Sequence, residues 1–418
     1  MEVLLNLTDQ CVKCGLCKDV CPTYPSIQNE SGFARGRIAL SNMVFRGELE
    51  LNNSVSTSWN QCAMCRRCEW ICPNGVEFKE IMVHSRNLQR EKLGDSFMKK
   101  AGLIALNTLQ SRPGRAITKL AGKLSGILPK ELKVPFPTGA VKFMPKPSGK
   151  AFDLRGKTFK AREEKARVLF FTGCLIDAFY TKTGESVIKL LNAAGYSVII
   201  PKDIKCCGAP HYYSGNLPAF EKLKEHNIKE IKNYDFDAIV VACPTCGGAL
   251  SEDYKQGWKV KDFAEIVNGE NLSFKGSGKE VTFHVPCHSY SAMKVDSEVF
   301  YGCIKKVEGD SLKKASKDKS CCGFAGLFSI TNPEISNKAQ EEKIKDLDST
   351  GAKLVLTTCP GCVLNLNDGV KKFSKSQEVM HLADYLASSL SQEENPETPS
   401  HQPQTLIKSP SENSPAIS

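Results

Sequence analysis

Apolar residues in this chain gather into short continuous runs separated by helical patterns, most densely in the C-terminal half. Val168–Phe171, Ser197–Ile200, Ala238–Val241, Val281–Val285 and Leu354–Leu356 are brief, rich in β-branched or aromatic side chains, and bounded by Gly, Pro or Cys. Runs of this kind predict buried strands. Gly184–Ala194 and Ala219–Lys232 carry apolar positions at helical spacing between them. Strands alternating with helices predict parallel α/β units. The pattern then recurs: Arg167–Cys174 (RVLFFTGC) parallels Glu280–Cys287 (EVTFHVPC), and Asp237–Cys246 (DAIVVACPTC) parallels Ala352–Cys362 (AKLVLTTCPGC), about 115 residues apart. A duplicated α/β module is expected.

Patterning divides the rest of the chain. Residues 1–90 are expected to be a helical domain, 91–160 a basic helical connector, 161–276 and 277–390 the two α/β modules, and 391–418 a tail. The expected class is α/β, or α+β overall. Pro396, Pro399, Pro403, Pro410 and Pro415 stand among Ser, Gln and Glu in the tail, a composition that predicts disorder. The longest apolar stretch, Ala101–Leu109, is far short of the roughly 20 residues that a membrane-spanning helix needs.

Charge concentrates in the connector. Between Lys92 and Lys150 twelve Lys and Arg face only Asp95 and Glu131, and the whole chain carries a formal +10. Ile117, Leu120, Ala121, Leu124, Ile127 and Leu128 recur at helical spacing among Arg115, Lys119 and Lys123. The favoured reading is a helix that packs on the chain's own domains and leaves a solvated basic face. Docking on an acidic flavoprotein or lying on anionic lipid are the alternatives. Nucleic-acid binding is not expected, because the charge lies outside any reading motif.

Composition changes the picture through one residue type. At 41% hydrophobic and 24% charged the 418-residue chain is ordinary, but it holds 19 cysteines. A secreted disulfide scaffold does not suit an odd count in so long a chain, and Met1–Gln10 lacks the features of a signal peptide. A reducing, cytoplasmic setting is expected, with peripheral attachment to the inner face of the cytoplasmic membrane left open.

The cysteine spacings carry the chemistry. Cys11, Cys14, Cys17 and Cys21–Pro22, and again Cys62, Cys65, Cys68 and Cys72–Pro73, read C-x2-C-x2-C-x3-C-P. This is the spacing of two-cluster ferredoxins, in which the fourth cysteine reaches the other cluster. Two [4Fe–4S] clusters are expected, one on Cys11, Cys14, Cys17 and Cys72, the other on Cys62, Cys65, Cys68 and Cys21. Gly15 permits close backbone approach, and the prolines end each loop. A pair of zinc ribbons is the plainer alternative.

The modules carry a second pattern: Cys174, Cys206–Cys207–Gly208 and Cys243-x2-Cys246, then Cys287, Cys321–Cys322–Gly323 and Cys359-x2-Cys362. Five thiols exceed what a cubane cluster takes. The excess points to an opened-out cluster or to a redox-active thiol beside a metal, against a structural zinc or a site kept for packing.

This second pattern resembles the cysteine-rich CCG modules of heterodisulfide reductase. Together with the two ferredoxin-like runs, the chain up to about residue 385 resembles the iron–sulfur subunits of glycolate oxidase (glycolate dehydrogenase). The small subunit of anaerobic glycerol-3-phosphate dehydrogenase is similar. The resemblance extends to Cys21–Pro25 (CPTYP), Arg35–Ile38 (RGRI), Cys68–Val76 (CEWICPNGV), Val285–His288 (VPCH) and Cys321–Gly326 (CCGFAG). It implies an electron-transfer subunit that takes electrons from a separate FAD-binding subunit oxidising a 2-hydroxy acid and passes them to a quinone or another acceptor. It also implies one or two additional, non-cubane [4Fe–4S] clusters in the modules. All of Cys243, Cys246, Cys359 and Cys362 are present, the complete pattern of the disulfide reductases, which implies disulfide cleavage as the alternative activity. A zinc-holding scaffold that recruits a flavoprotein is a third reading.

No dinucleotide fingerprint or Walker sequence occurs, so no flavin or nucleotide site is expected here, and no catalytic residue is assigned. His288 is a candidate iron ligand or donor to a cluster sulfur, against a ring satisfied by nearby backbone. His211 and Tyr212 are candidates to line a cleft. Cys303 reads as an ordinary buried thiol.

Overall fold

The computed structural model describes residues 2–124, 132–133, 143–391 and 402–403. The N-terminal part is helical. Helices Glu2–Asp9, Ala34–Arg46, Asn53–Asn60 and Phe78–Leu93 enclose a core of Trp59, Ile81, Met82 and Val83, all fully buried. Asn52 caps Asn53–Asn60 by accepting from the amides of Ser54 and Val55.

Two parallel sheets follow. In the first, β1 (Lys157–Phe159), β2 (Ala166–Phe171), β3 (Tyr196–Ile200), β4 (Ala238–Val241) and β5 (Val260–Asp262) stand in the order β1-β3-β2-β4-β5. Only β1 runs antiparallel, along β3. In the second, β6 (Glu280–Phe283), β7 (Ser311–Leu312), β8 (Leu354–Thr357) and β9 (Glu378–His381) stand in the order β7-β6-β8-β9, all parallel. Without β1 the two orders are the same, so the internal repeat in sequence is a repeat in topology. Gln402–Pro403 pairs with β1 at the edge of the first sheet. The rest of the tail beyond Ser391 lies outside the described residues.

Side chains alternate across each strand. Val168 and Phe170 join Val281, Phe283 and Leu356 in one core that spans both modules, whereas Leu169 and Phe171 enter a second core with Ile239, Val241 and Tyr254. The shared core is filled by four helices. Thr181–Ala193 packs on Leu382–Ser389, and Phe263–Gly269 packs on Ser297–Lys305. Each pair joins the first crossover helix of one module to the last helix of the other, which gives the two modules a pseudo-two-fold relation. Burying a side chain such as Phe170, Phe283 or Phe300 contributes about 2–3 kcal/mol. Asp384 adds direction to this contact by accepting from Thr183 and Ser186, each at 2.7 Å.

The connector differs from expectation in one respect. Helix Arg112–Lys123 does pack on the body, but through Gly114, Thr118 and Gly122, with Arg115 paired to Asp203 and Lys119 to Asp153. Ile117, Leu120 and Leu124 point outward at 66%, 60% and 49% exposure. Small residues allow close approach, and Arg115 and Lys119 reach back to the body while Arg112 and Lys123 stay exposed. Ile127 and Leu128 lie outside the described residues. No helix among the described residues is long and apolar enough to cross a membrane.

The helical part is anchored to the first module by a buried ionic network. Lys79 Nζ lies 2.6 Å from Asp253 and 3.2 Å from Glu252, and Arg66 holds both Glu69 and Glu252. Burial raises Asp253 from 3.8 to about 6, although Lys79 opposes the rise. Because the folded-state pKa is raised, ionising Asp253 costs stability; that cost is absent below about 3.8 and complete above about 6. Lys79→Met is therefore expected to destabilise the protein by about 3–5 kcal/mol at pH 8, where the carboxylates stay charged without their cation. The loss should shrink at pH 5, where Asp253 takes a proton. Anaerobic thermal unfolding at both pH values checks this, and an equal loss at the two would contradict it.

Candidate metal centres

Each cysteine loop of the helical part is wound by two left-handed residues at the same two positions: Lys13 and Gly15 in the first, Met64 and Arg66 in the second. A left-handed residue costs roughly 1–2 kcal/mol without glycine. Arg66 offsets this through its two ion pairs. The winding turns successive thiols inward. One cavity is lined by Cys11, Cys14, Cys17 and Cys72, and by Cys68 as well. A second is lined by Cys21, Cys62, Cys65 and Cys68. The structure thus brings Cys72 to the first loop and Cys21 to the second.

The ten module cysteines all line one central cavity of about 220 Å³, which Cys62 and Cys65 also border. Their order is palindromic. Neighbouring thiols interact in the row Cys174, Cys206, Cys207, Cys246, Cys243, then Cys359, Cys362, Cys322, Cys321, Cys287. Cys322 and Cys362 stand 3.3 Å apart. The pseudo-two-fold passes between Cys243 and Cys359, and beyond Cys321 and Cys287 the row comes within electrostatic reach of Cys65.

Local sequence explains each placement. Every module cysteine sits beyond the carboxyl end of a strand, where open parallel sheets gather ligands. Cys243 and Cys359 occupy N-cap positions of helices Pro244–Gly248 and Pro360–Lys372. The glycine after each cysteine pair is left-handed, with φ +81° at Gly208 and +90° at Gly323. A Cβ there would stand 2.7 Å from the Phe220 ring at Gly208 and 2.5 Å from the Ser336 carbonyl at Gly323. The third letter of the Cys-Cys-Gly pattern is thereby set by packing as well as by backbone conformation.

Hydrogen bonding splits the thiols. A bond from Cys206, helped by one from Cys246, draws Cys207 down to about 6. Cys246 and Cys359 pull Cys243 well below the usual thiol range, and Cys287 and Cys322 do the same to Cys321. Burial lifts Cys65 and Cys68. Among the described residues no carboxylate lines any of the three cavities. Donor sets of thiols alone suit soft iron–sulfur chemistry and not the hard cations.

His288 answers to its plainer reading. Its Nε2 donates to the Met64 carbonyl and its Nδ1 accepts from the Thr245 hydroxyl, both at 2.9 Å. It therefore ties the second cysteine loop to both modules. His211 is buried on Asn107 and Asn216, and Tyr212 donates to Glu80. Neither lines the central cavity, which takes Pro210 and Tyr213 from that helix instead. Cys303 is a buried thiol donating to the Ala264 carbonyl. Two residues that sequence reading passed over flank the second thiol set. Arg86 donates to the carbonyls of Trp59, Cys62 and Tyr213, and Arg37 to those of Ser58 and Gln61. Among the described residues neither has a carboxylate partner. Burial draws Arg86 down to about 10, so it stays charged at neutral pH.

Comparison with known proteins agrees with this chemistry. A family model for a 4Fe-4S dicluster domain matches residues 8–76, and one for a cysteine-rich domain matches 168–251 and 281–367. The probable glycolate oxidase iron–sulfur subunit of Bacillus subtilis is 31% identical over 90% of this chain and 92% of its own. This chain belongs to the family of glycolate oxidase iron–sulfur subunits. The glycolate oxidase iron–sulfur subunit of Escherichia coli is 27% identical over 85% of this chain and 89% of its own. A fumarate reductase (CoM/CoB) subunit of Methanothermobacter marburgensis is 26% identical over 87% of this chain and 68% of its own. The family and its two domain types make this an iron–sulfur electron-transfer subunit of an oxidoreductase.

A buried cation with no counter-carboxylate favours the more negative, reduced state of a nearby cluster. Arg86→Met should therefore lower the reduction potential of the cluster nearest Cys62. The expected shift is on the order of 60 mV, the one-electron equivalent of about 1.4 kcal/mol. An electron paramagnetic resonance redox titration reads it. An unchanged potential in a variant that keeps its cluster spectrum would contradict the assignment.

Proposed function

We propose that the chain is the iron–sulfur relay of a flavin-dependent 2-hydroxyacid dehydrogenase of the glycolate type. It receives electrons from an FAD-binding subunit and passes them to a quinone or another acceptor. Cys11, Cys14, Cys17 and Cys72 hold one [4Fe–4S] cluster, and Cys62, Cys65, Cys68 and Cys21 hold the other. Each module's five cysteines hold a further, non-cubane [4Fe–4S] cluster. The observation that carries this reading is the unbroken succession of thiols. Cys14 is exposed at the surface, Cys68 borders both head cavities, Cys65 borders the second and the central one, and the palindromic row continues from there. An iron–sulfur cluster moves electrons one at a time and leaves the carbon chemistry to the flavin.

The shared cavity supports a second reading. Two modules present five thiols each to a single space, and one of the similar proteins carries CoM/CoB in its name. Cleavage of a disulfide in that space is the alternative.

Protein purified anaerobically in complex with its partners should contain about sixteen irons per chain, four for each of four clusters. About eight would restrict the metal to the head, and stoichiometric zinc in the modules would end the redox role assigned to them. A co-purifying FAD protein is expected. Replacing both Cys206 and Cys207 by Ser should abolish electron flow from that flavin to the acceptor. Undiminished flow would remove the first module from the path.

A further inference from the structure

The two modules are not chemically equal. His284 stands three residues before Cys287, and the matching position three residues before Cys174 is Phe171. Phe171 is plain core packing at 0% exposure. His284 is equally buried, at 1%, and although the Asp318 carbonyl lies near its ring, neither nitrogen makes a well-formed hydrogen bond. Leaving such a ring unsatisfied costs about 1–3 kcal/mol. The nearby Asp318 carbonyl already accepts from the Val285 amide at 3.1 Å and from Lys343 Nζ at 3.1 Å. What His284 does face is sulfur. One of its ring nitrogens and the thiols of Cys322 and Cys362 all lie within 4.8 Å of one another. The nitrogen is thus close to both sulfurs without bonding to either, which is the relation of ligands around a shared metal ion.

We propose that His284 supplies a nitrogen ligand to an iron held by Cys322 and Cys362. The neutral imidazole gives the lone pair of one ring nitrogen, and the other nitrogen keeps its proton. The proposal rests on the reading that the second module holds an iron–sulfur cluster. His288 cannot take this role, since both of its nitrogens are engaged by Met64 and Thr245. Added to the five thiolates, this nitrogen makes the ligand set of the second module differ from that of the first, whose matching position is Phe171. The second-module cluster is also the one whose cysteines lie nearest the head.

The test needs no variant to begin. Full-length protein labelled with 15N-histidine is purified anaerobically with its partners, and its iron is counted. Each module's resonance is assigned with the Cys174→Ser and Cys287→Ser variants, and nitrogen coupling is read by pulsed paramagnetic resonance. A strong 15N coupling on the second-module signal alone is expected, and His284→Phe, which copies the first module, should remove it. A second-module signal without strong histidine coupling, or a coupling that survives His284→Phe, overturns the ligand assignment while leaving the cluster intact. An iron count of about eight with no module signal overturns the cluster reading and the ligand with it.

Discussion

Ten thiols meeting across a pseudo-two-fold axis is the constraint on which the rest of the structure depends. Parallel strands deliver their cysteines to one end of a sheet, and a single module would expose that end to solvent. Duplication closes it. The shared core of Phe170, Val240, Phe283 and Leu356 sets the two sheets in register, and that register brings Cys243 against Cys359. Any slip between the modules would break the row at its midpoint. The four helices between the sheets, and the bonds from Thr183 and Ser186 to Asp384, therefore have consequences for the chemistry as well as for stability.

The helical head closes the remaining side. His288 joins Met64 to Thr245, Ser291 donates to the Cys65 carbonyl, and Trp70 packs edge-on against Tyr290. Lys79 and Arg66 hold the opposite edge through Asp253 and Glu252. These contacts surround the second cysteine loop and fix its distance from Cys321. Arg37 and Arg86 supply positive charge with no carboxylate partner among the described residues, and the low dielectric there amplifies their influence on any anionic cluster.

Much of this was legible in the chain. The five apolar runs are strands, the 115-residue repeat is a repeated strand order, and the cysteine patterns lead to the family. Each of these rests on local information: periodicity, spacing and the residues beside each cysteine. What stayed hidden depends on tertiary contact. Nothing local shows that both modules open into one cavity, because that follows from the pseudo-two-fold. The connector helix leaves Ile117, Leu120 and Leu124 outward because it packs through Gly114, Thr118 and Gly122, with Asp203 and Asp153, distant in sequence, taking Arg115 and Lys119. The sequence left His288 between a cluster ligand and a ring satisfied by nearby groups, and only the contacts with Thr245 and Met64, distant in sequence, decide for the second. Arg86 carried no signal in the sequence, and only the fold buries it on carbonyls. The contrast of Phe171 with His284 was visible in the aligned repeats, but its meaning needed the position of Cys322 and Cys362.

The central claim is that head and modules form one continuous redox path through Cys65 and Cys321. The most direct measurement is the magnetic interaction between the cluster on the second cysteine loop and that of the second module, with both in paramagnetic states. A continuous path predicts splitting and accelerated spin relaxation of the head signal when the module cluster becomes paramagnetic, with both effects lost in a Cys321→Ser variant that lacks the module cluster. Two signals that saturate independently, with no splitting in the intact protein, would contradict it.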